Sequence, residues 1–282
     1  MIKIYADELK KIELKLLCEF HKICNGIGIN YSLAYGTLLG AARHKGFIPW
    51  DDDIDVCMFR NDYEKFIDYC KSNETSFILI DYRTCDWYNY PMAKLCAKGT
   101  VIEEEGTYND GKLGVYIDIF PIDSLGNTRE EAIKEYRKTE LIRDLIVAAN
   151  WKKYFRSKTN SIIYEPVRIA FYIFSRFVSP KKLIKKLEKS SEKRNFEGVK
   201  YSGNLFSAYR EREISDSYIF DEMADITFEG ITFKCFKQYD KYLSGIYGDY
   251  MKLPPKEKQK SHHMFEAWWD NQKIYEEYYK DC

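Results

Sequence analysis

No two cysteines in this chain stand in a Cys-x-x-Cys pair. The eight thiols, Cys18, Cys24, Cys57, Cys70, Cys85, Cys96, Cys235 and Cys282, are scattered singly. The opening Met-Ile-Lys-Ile-Tyr-Ala-Asp-Glu has no apolar segment of the kind that directs secretion. The thiols are therefore expected to be reduced and mostly buried in a cytoplasmic protein. No uninterrupted apolar run approaches the roughly 18 residues that cross a bilayer. Neither charge is in excess, with 44 Lys and Arg against 44 Asp and Glu, so a nucleic-acid-coating role, which calls for a positive surplus, is not expected. Internal repeats and low-complexity tracts are also missing. What is present is apolar mass: 45% hydrophobic and 16% aromatic residues over 282 positions. That suffices for a packed core in one large domain or two small ones.

Hydrophobic periodicity predicts an α/β (α+β) fold. Leu9, Ile12, Leu16 and Phe20 recur at helical spacing and mark a first helix over 5–26, with Asn25-Gly26 as its C-cap. Strands are expected over 31–35, 53–58, 77–82, 87–96, 100–104 and 116–120, the last ended by Pro121. A helix over 61–72 starts near Asn61. Thr128-Arg129-Glu130-Glu131 has capping-box spacing and opens a long helix to about 155. Further helices are expected over 161–178 and 180–195. A hairpin turns at Glu229-Gly230, a helix covers 238–247, and the tail from 265 to 279 reads as helical. This divides the chain into a catalytic core over 1–126, a helical region over 127–225 and a C-terminal hairpin and helices over 226–282.

Residues 36–56 carry the most chemistry. Side chains alternate along a strand, so Asp53 and Asp55 would share one face while Ile54 enters the core. Two adjacent carboxylates repel unless a cation lies between them. Mg²⁺, or Mn²⁺ in its place, is a hard ion that takes oxygen ligands and shares them with phosphates. Asp51 and Asp52 read as support for the loop. Gly36 allows close backbone approach, and Thr37 can open a helix whose free N–H groups face an anion.

Gly36-Thr37-Leu38-Leu39-Gly40, the run from His44 to Asp55, Asp118-Ile119-Phe120-Pro121, and Tyr247 to Met251 with Leu253-Pro254-Pro255 together resemble the LicD family, phosphocholine transferases related to fukutin and fukutin-related protein. The resemblance implies a nucleotidyltransferase-type fold, a small mixed sheet flanked by helices. It implies transfer of a phosphoalcohol from CDP-choline or a related CDP-alcohol to a glycan, with a lipid-linked precursor as one acceptor. Asp53 and Asp55 are then the metal ligands. Asp118, an acid within an apolar strand, becomes the third acid, as metal ligand or base for the acceptor hydroxyl. Asp123 reads as a turn cap. Arg43, His44 and Lys45 could add charge at the pyrophosphate, and Lys94, His262 and His263 could meet donor or acceptor. Trp87, Tyr88 and Tyr90, with Asp86 and Glu103 to Glu105, could cage a quaternary ammonium; packing is the competing reading. Ribitol or glycerol phosphate donors and NMP transfer from an NTP remain alternatives, as does a non-catalytic scaffold. The apolar stretch 162–178, followed by Lys181, Lys182, Lys185 and Lys186, reads first as a core helix and second as a peripheral membrane patch on the inner leaflet.

Overall fold

The computed structural model describes residues 1–104, 113–156, 162–192, 198–260 and 265–280. In chain order these form β1 (Ile2–Ile4), α1 (Ala6–Ile27), β2 (Ser32–Leu33), α2 (Tyr35–His44), β3 (Asp55–Phe59), α3 (Arg60–Ser72), β4 (Phe77–Ile80), β5 (Ala93–Ala97), β6 (Thr100–Glu104) and β7 (Tyr116–Gly126). They continue with α4 (Arg129–Ala149), α5 (Glu165–Ser175), α6 (Pro180–Glu192), β8 (Tyr201–Gly203), β9 (Ser215–Asp216), β10 (Met223–Phe228), β11 (Ile231–Phe236), α7 (Tyr239–Tyr247), β12 (Phe265–Trp269) and α8 (Gln272–Lys280). The fold is α/β. Its main sheet runs β2-β3-β7-β5-β4, with β8 and β9 extending from the far end of β7. Among the described strands of this sheet, only β3 and β7 pair in parallel; the other pairs are antiparallel. A smaller sheet, β1-β12-β6, and the β10-β11 hairpin complete it. No described helix is long and apolar enough to cross a membrane.

Helix α1 buries Leu9, Ile12, Leu16, Leu17, Phe20 and Cys24 along one stripe. It ends later than Asn25-Gly26, at Gly28 in the left-handed region (φ 68°), whose N–H satisfies the Cys24 carbonyl. Asn25 instead hydrogen-bonds His21 on the helix surface at 2.9 Å. Helix α3 starts at Arg60 without a side-chain cap, so Asn61 does not play that role. The expected hairpin turn at Glu229-Gly230 is present, both residues having positive φ (50° and 76°), which suits the right-handed strand twist. Thr128 and Glu131 form the reciprocal capping box of α4. Thr128→Ala should cost about 1 kcal/mol in urea unfolding.

Three further expectations fail for physical reasons. Pro121 does not end its strand: β7 continues to Gly126, and Pro121 lies opposite Met58 of β3. The Asp118 N–H donates to the Ile54 carbonyl, immediately before β3, so by alternation the Pro121 nitrogen points to the other edge. There β5 has already ended, its first residue Ala93 pairing with Ile119. No ladder donor is lost. The tail is not wholly helical. Phe265–Trp269 alternates, with Ala267 and Trp269 buried and Glu266 outward on Lys3 at 2.6 Å. It inserts as β12 between β1 and β6. Asp123 is no turn cap; it is buried on β7 and holds Arg60 in a two-pronged ion pair at 2.8 and 2.9 Å.

Residues 162–178 do not form a core helix either. Helix α5 packs by its polar side against the end of α4 and leaves its apolar side in solvent. Among the described thiols, Cys24, Cys57, Cys70, Cys96 and Cys235 are buried and Cys18 and Cys85 half-buried, none of them bridged; Cys282 lies outside the described residues.

Candidate active site

Strand register assembles the site. Asp55 of β3 lies directly opposite Asp118 of β7, and Asp118 lies opposite Lys94 of β5. Residues paired across a sheet project from the same face, so three neighbouring strands present two acids and one base abreast. Lys94 donates to Asp118 Oδ1 at 2.7 Å and rests on the Tyr116 ring, 3.4 Å from its centroid. Burial pushes the Asp55 carboxyl well above the usual carboxylate range; Asp53, Asp118 and Asp51 push it further, against the pull of Lys94. Asp53 is not on the strand with Asp55, because β3 begins at Asp55. It lies in the approach loop, close enough for its charge to be felt at Asp55.

The turn into α2 locks this loop. Ala34 is extended and its N–H donates to the Asp55 carbonyl at 2.9 Å. Tyr35 then takes φ 42°, a left-handed conformation rare for a large side chain. The reversal brings Thr37 Oγ1 under the Asp55 N–H at 2.8 Å. Gly36 faces Asp51 so closely that a Cβ would stand 2.5 Å from Asp51 Oδ2. A side chain at position 36 would thus require the Asp51 carboxylate to shift, and the start of α2 sits beside the acids. The buried Tyr35 hydroxyl anchors the strained turn, donating to Glu213 at 3.1 Å and accepting from Asn204 at 3.0 Å. Burial lifts the Glu213 carboxyl to about 7.

Other sequence candidates lie elsewhere. Arg43 is about 10 Å along α2 from Gly36 and donates to the Tyr250 carbonyl at 2.7 Å and to His44 at 3.0 Å. Lys45 receives the hairpin turn, its carbonyl accepting the Glu229 N–H at 2.9 Å. This trio joins α2 to the C-terminal segments. Trp87 and Tyr90 are half-buried against the second core cluster, around Tyr88. Of the acids expected beside them, Asp86 is exposed and pairs with Lys181 at 2.8 Å, and Glu103 and Glu104 lie on β6 of the smaller sheet. His262, His263 and Glu105 lie outside the described residues.

Sequence reasoning passed over several residues near the acids. Glu13 is buried on α1, and its Oε2 has no hydrogen-bond partner among the described residues. Burial raises its pKa, followed by the charges of Asp53 and Asp52. Its signal was legible, since Glu13 occupies the inner stripe between Leu9 and Leu16. Tyr209 and Tyr247 join hydroxyls at 2.9 Å within the field of Asp55, and Tyr209 stacks on Tyr35 at 5.7 Å. Nothing local marks Tyr209.

Among the described residues, no three acidic, imidazole or thiol side chains already converge as a metal-ligand set. The donor chemistry is nonetheless all oxygen, and Asp55 feels three carboxylates against one lysine. That imbalance fits a hard divalent cation.

A mixed sheet whose central strands carry paired acids, faced by a Gly-Thr helix start, defines a nucleotidyltransferase-type protein. Residues 28–151 match the LicD/FKTN/FKRP nucleotidyltransferase domain. The chain is 33% identical over 273 residues to the lipopolysaccharide cholinephosphotransferase LicD of Haemophilus influenzae, covering 95% of this chain and 99% of that protein. A shorter stretch of 40 residues is 45% identical to the human ribitol 5-phosphate transferase FKRP, covering 14% of this chain and 8% of that protein. This chain belongs to the LicD family.

Proposed function

We propose that the protein is a metal-dependent phosphocholine transferase, moving phosphocholine from CDP-choline to a sugar hydroxyl of a cell-surface glycan such as lipopolysaccharide. Near-full-length similarity to a lipopolysaccharide cholinephosphotransferase supports the donor and acceptor classes. The observation that carries the chemistry is the parallel register placing Asp55 beside Asp118.

In this reading the acceptor oxygen attacks the phosphorus that bears choline. The new O–P bond forms as the bond to the CMP oxygen breaks, and the hydroxyl proton passes to a base. Asp53 and Asp55, with Asp118 at the same edge, would hold Mg²⁺ or Mn²⁺, which when bound neutralises the donor phosphates. Gly36 and Thr37 set the first N–H groups of α2 against the pyrophosphate. Lys94 holds the Asp118 carboxylate in place beside Asp55, where Asp118 can act as ligand or take the proton. The reaction belongs on the cytoplasmic side, before the glycan is exported.

The test is incubation with Mg²⁺ and, separately, CDP-choline, CDP-ribitol, CDP-glycerol and CTP, following CMP and pyrophosphate. CMP from CDP-choline is expected, at a slow rate with water and faster with a glycan acceptor. CMP from CDP-ribitol or CDP-glycerol alone would change the donor. Pyrophosphate from CTP would make the protein a nucleotidyltransferase proper.

A further inference from the structure

Helix α5 is amphipathic the wrong way round for a soluble protein. Its polar side is the buried one. Glu165 is buried against the Tyr154 hydroxyl, Arg176 donates to the Ala148 carbonyl of α4 at 2.6 Å, and Arg168 stacks over Trp151 at 4.9 Å. Tyr172 lies parallel to Trp151 at 6.5 Å. The apolar side of α5 and of the turns on either side of it meets solvent: Ile163, just before the helix, is 78% exposed, Phe174 within it 65%, and Phe177, just after it, 82%. Of the eighteen large apolar side chains exposed among the described residues, nine lie between Phe155 and Phe177. So many exposed apolar side chains within one short stretch mark a docking surface.

Charge identifies what covers it. Residues 151–187 hold ten Lys and Arg against the single acid Glu165, in a chain whose totals are 44 and 44. Lys152, Lys153 and Arg156 precede the patch, and Lys182, Lys185 and Lys186 follow it, all exposed. A second copy of so basic a face would be repelled. An interface of acyl chains beneath anionic headgroups takes both features: apolar side chains enter the acyl boundary while flanking lysines meet the headgroups.

We infer that α5 and its flanking lysines form a peripheral docking site for anionic lipid membrane, with Ile163, Val167, Phe174 and Phe177 as the inserted side chains. Vesicle binding tests this without turnover, so it stands or falls apart from the reaction proposed above. The full chain is sedimented with vesicles of phosphatidylcholine, alone or with about one-third phosphatidylglycerol. Binding is expected only with the anionic lipid and should weaken in high salt. Phe174→Ser with Phe177→Ser, at exposed positions that leave the core intact, should reduce it by about tenfold or more. Lys182→Glu with Lys185→Glu should lower it and flatten the salt dependence. Absence of binding to the anionic vesicles, or equal binding by the Phe174→Ser/Phe177→Ser protein, overturns the inference. So does concentration-dependent self-association in sedimentation velocity that the same two substitutions abolish, which would give the face to a second copy.

Discussion

Asp55→Asn should lower CMP release from CDP-choline by at least about a thousandfold, roughly 4 kcal/mol of transition-state stabilisation, while the metal-free protein becomes no less stable. The two halves share one cause. Asp55 is buried beside other acids, and its carboxyl is raised first by burial and then by Asp53, Asp118 and Asp51. Without a metal, its ionised form is a cost to the fold. The folded state therefore holds the Asp55 proton more tightly than the unfolded chain does. This contribution favours folding at low pH and is lost as pH rises from the ordinary carboxylate value of 3.8 through the higher folded value. Asparagine keeps the shape, removes the charge and flattens that dependence. Thermal unfolding across pH, with and without Mg²⁺, reads this directly. Mg²⁺ should raise the midpoint of the natural protein and leave that of Asp55→Asn nearly unmoved. An Asp55→Asn protein with full turnover would end the assignment of Asp55.

Asp123→Ala should cost about 3–5 kcal/mol of stability. Asp123 and Arg60 are both buried and meet through two parallel hydrogen bonds. Burial alone would lower the Arg60 pKa, but the Asp123 charge and hydrogen bonds, with Glu188, reverse it. Glu188 of α6 also takes Arg83 at 3.1 Å and the Tyr82 hydroxyl, while Arg83 reaches Asp81 at 3.1 Å. The network thus ties α3, β7, the end of β4 and α6 together. Alanine at 123 strands a buried guanidinium. Arg60→Met combined with Asp123→Leu removes both charges and should recover much of the loss, a non-additivity that urea unfolding of the four proteins measures. Asp123 is five residues from Asp118 along β7, about 16 Å. CMP release below the melting range should therefore be nearly unchanged in Asp123→Ala. A loss in turnover larger than the loss in stability would place the pair in the site instead.

Much of the candidate site was legible in one dimension. The acids at 51–55 and 118 and Gly36-Thr37 were singled out by residue type and spacing, Lys94 only through the family resemblance, and strand pairing brings Asp55, Asp118 and Lys94 abreast. The misreadings share a cause. Asp53 and Asp55 do alternate, yet pairing begins only at Asp55, so one acid is on the sheet and the other in the loop. Trp87 and Tyr90 are no misreading: cage and packing were both open from their aromaticity, and the structure shows them half-buried against the second core cluster. Tyr209 and Tyr247 meet 38 residues apart through a contact no window contains.

Local spacing alone determined the helical stripe of α1, the capping box at Thr128, the turn at Glu229-Gly230 and the supply of acids, because each depends on neighbours within a few residues. Only the tertiary structure decided that Pro121 could sit inside a strand, that the tail would pair as β12, that Asp123 would belong to Arg60 and that α5 would turn its apolar side outward. Periodicity states which side chains share a face. Which face is covered, and by what, depends on strands and helices brought together from distant parts of the chain.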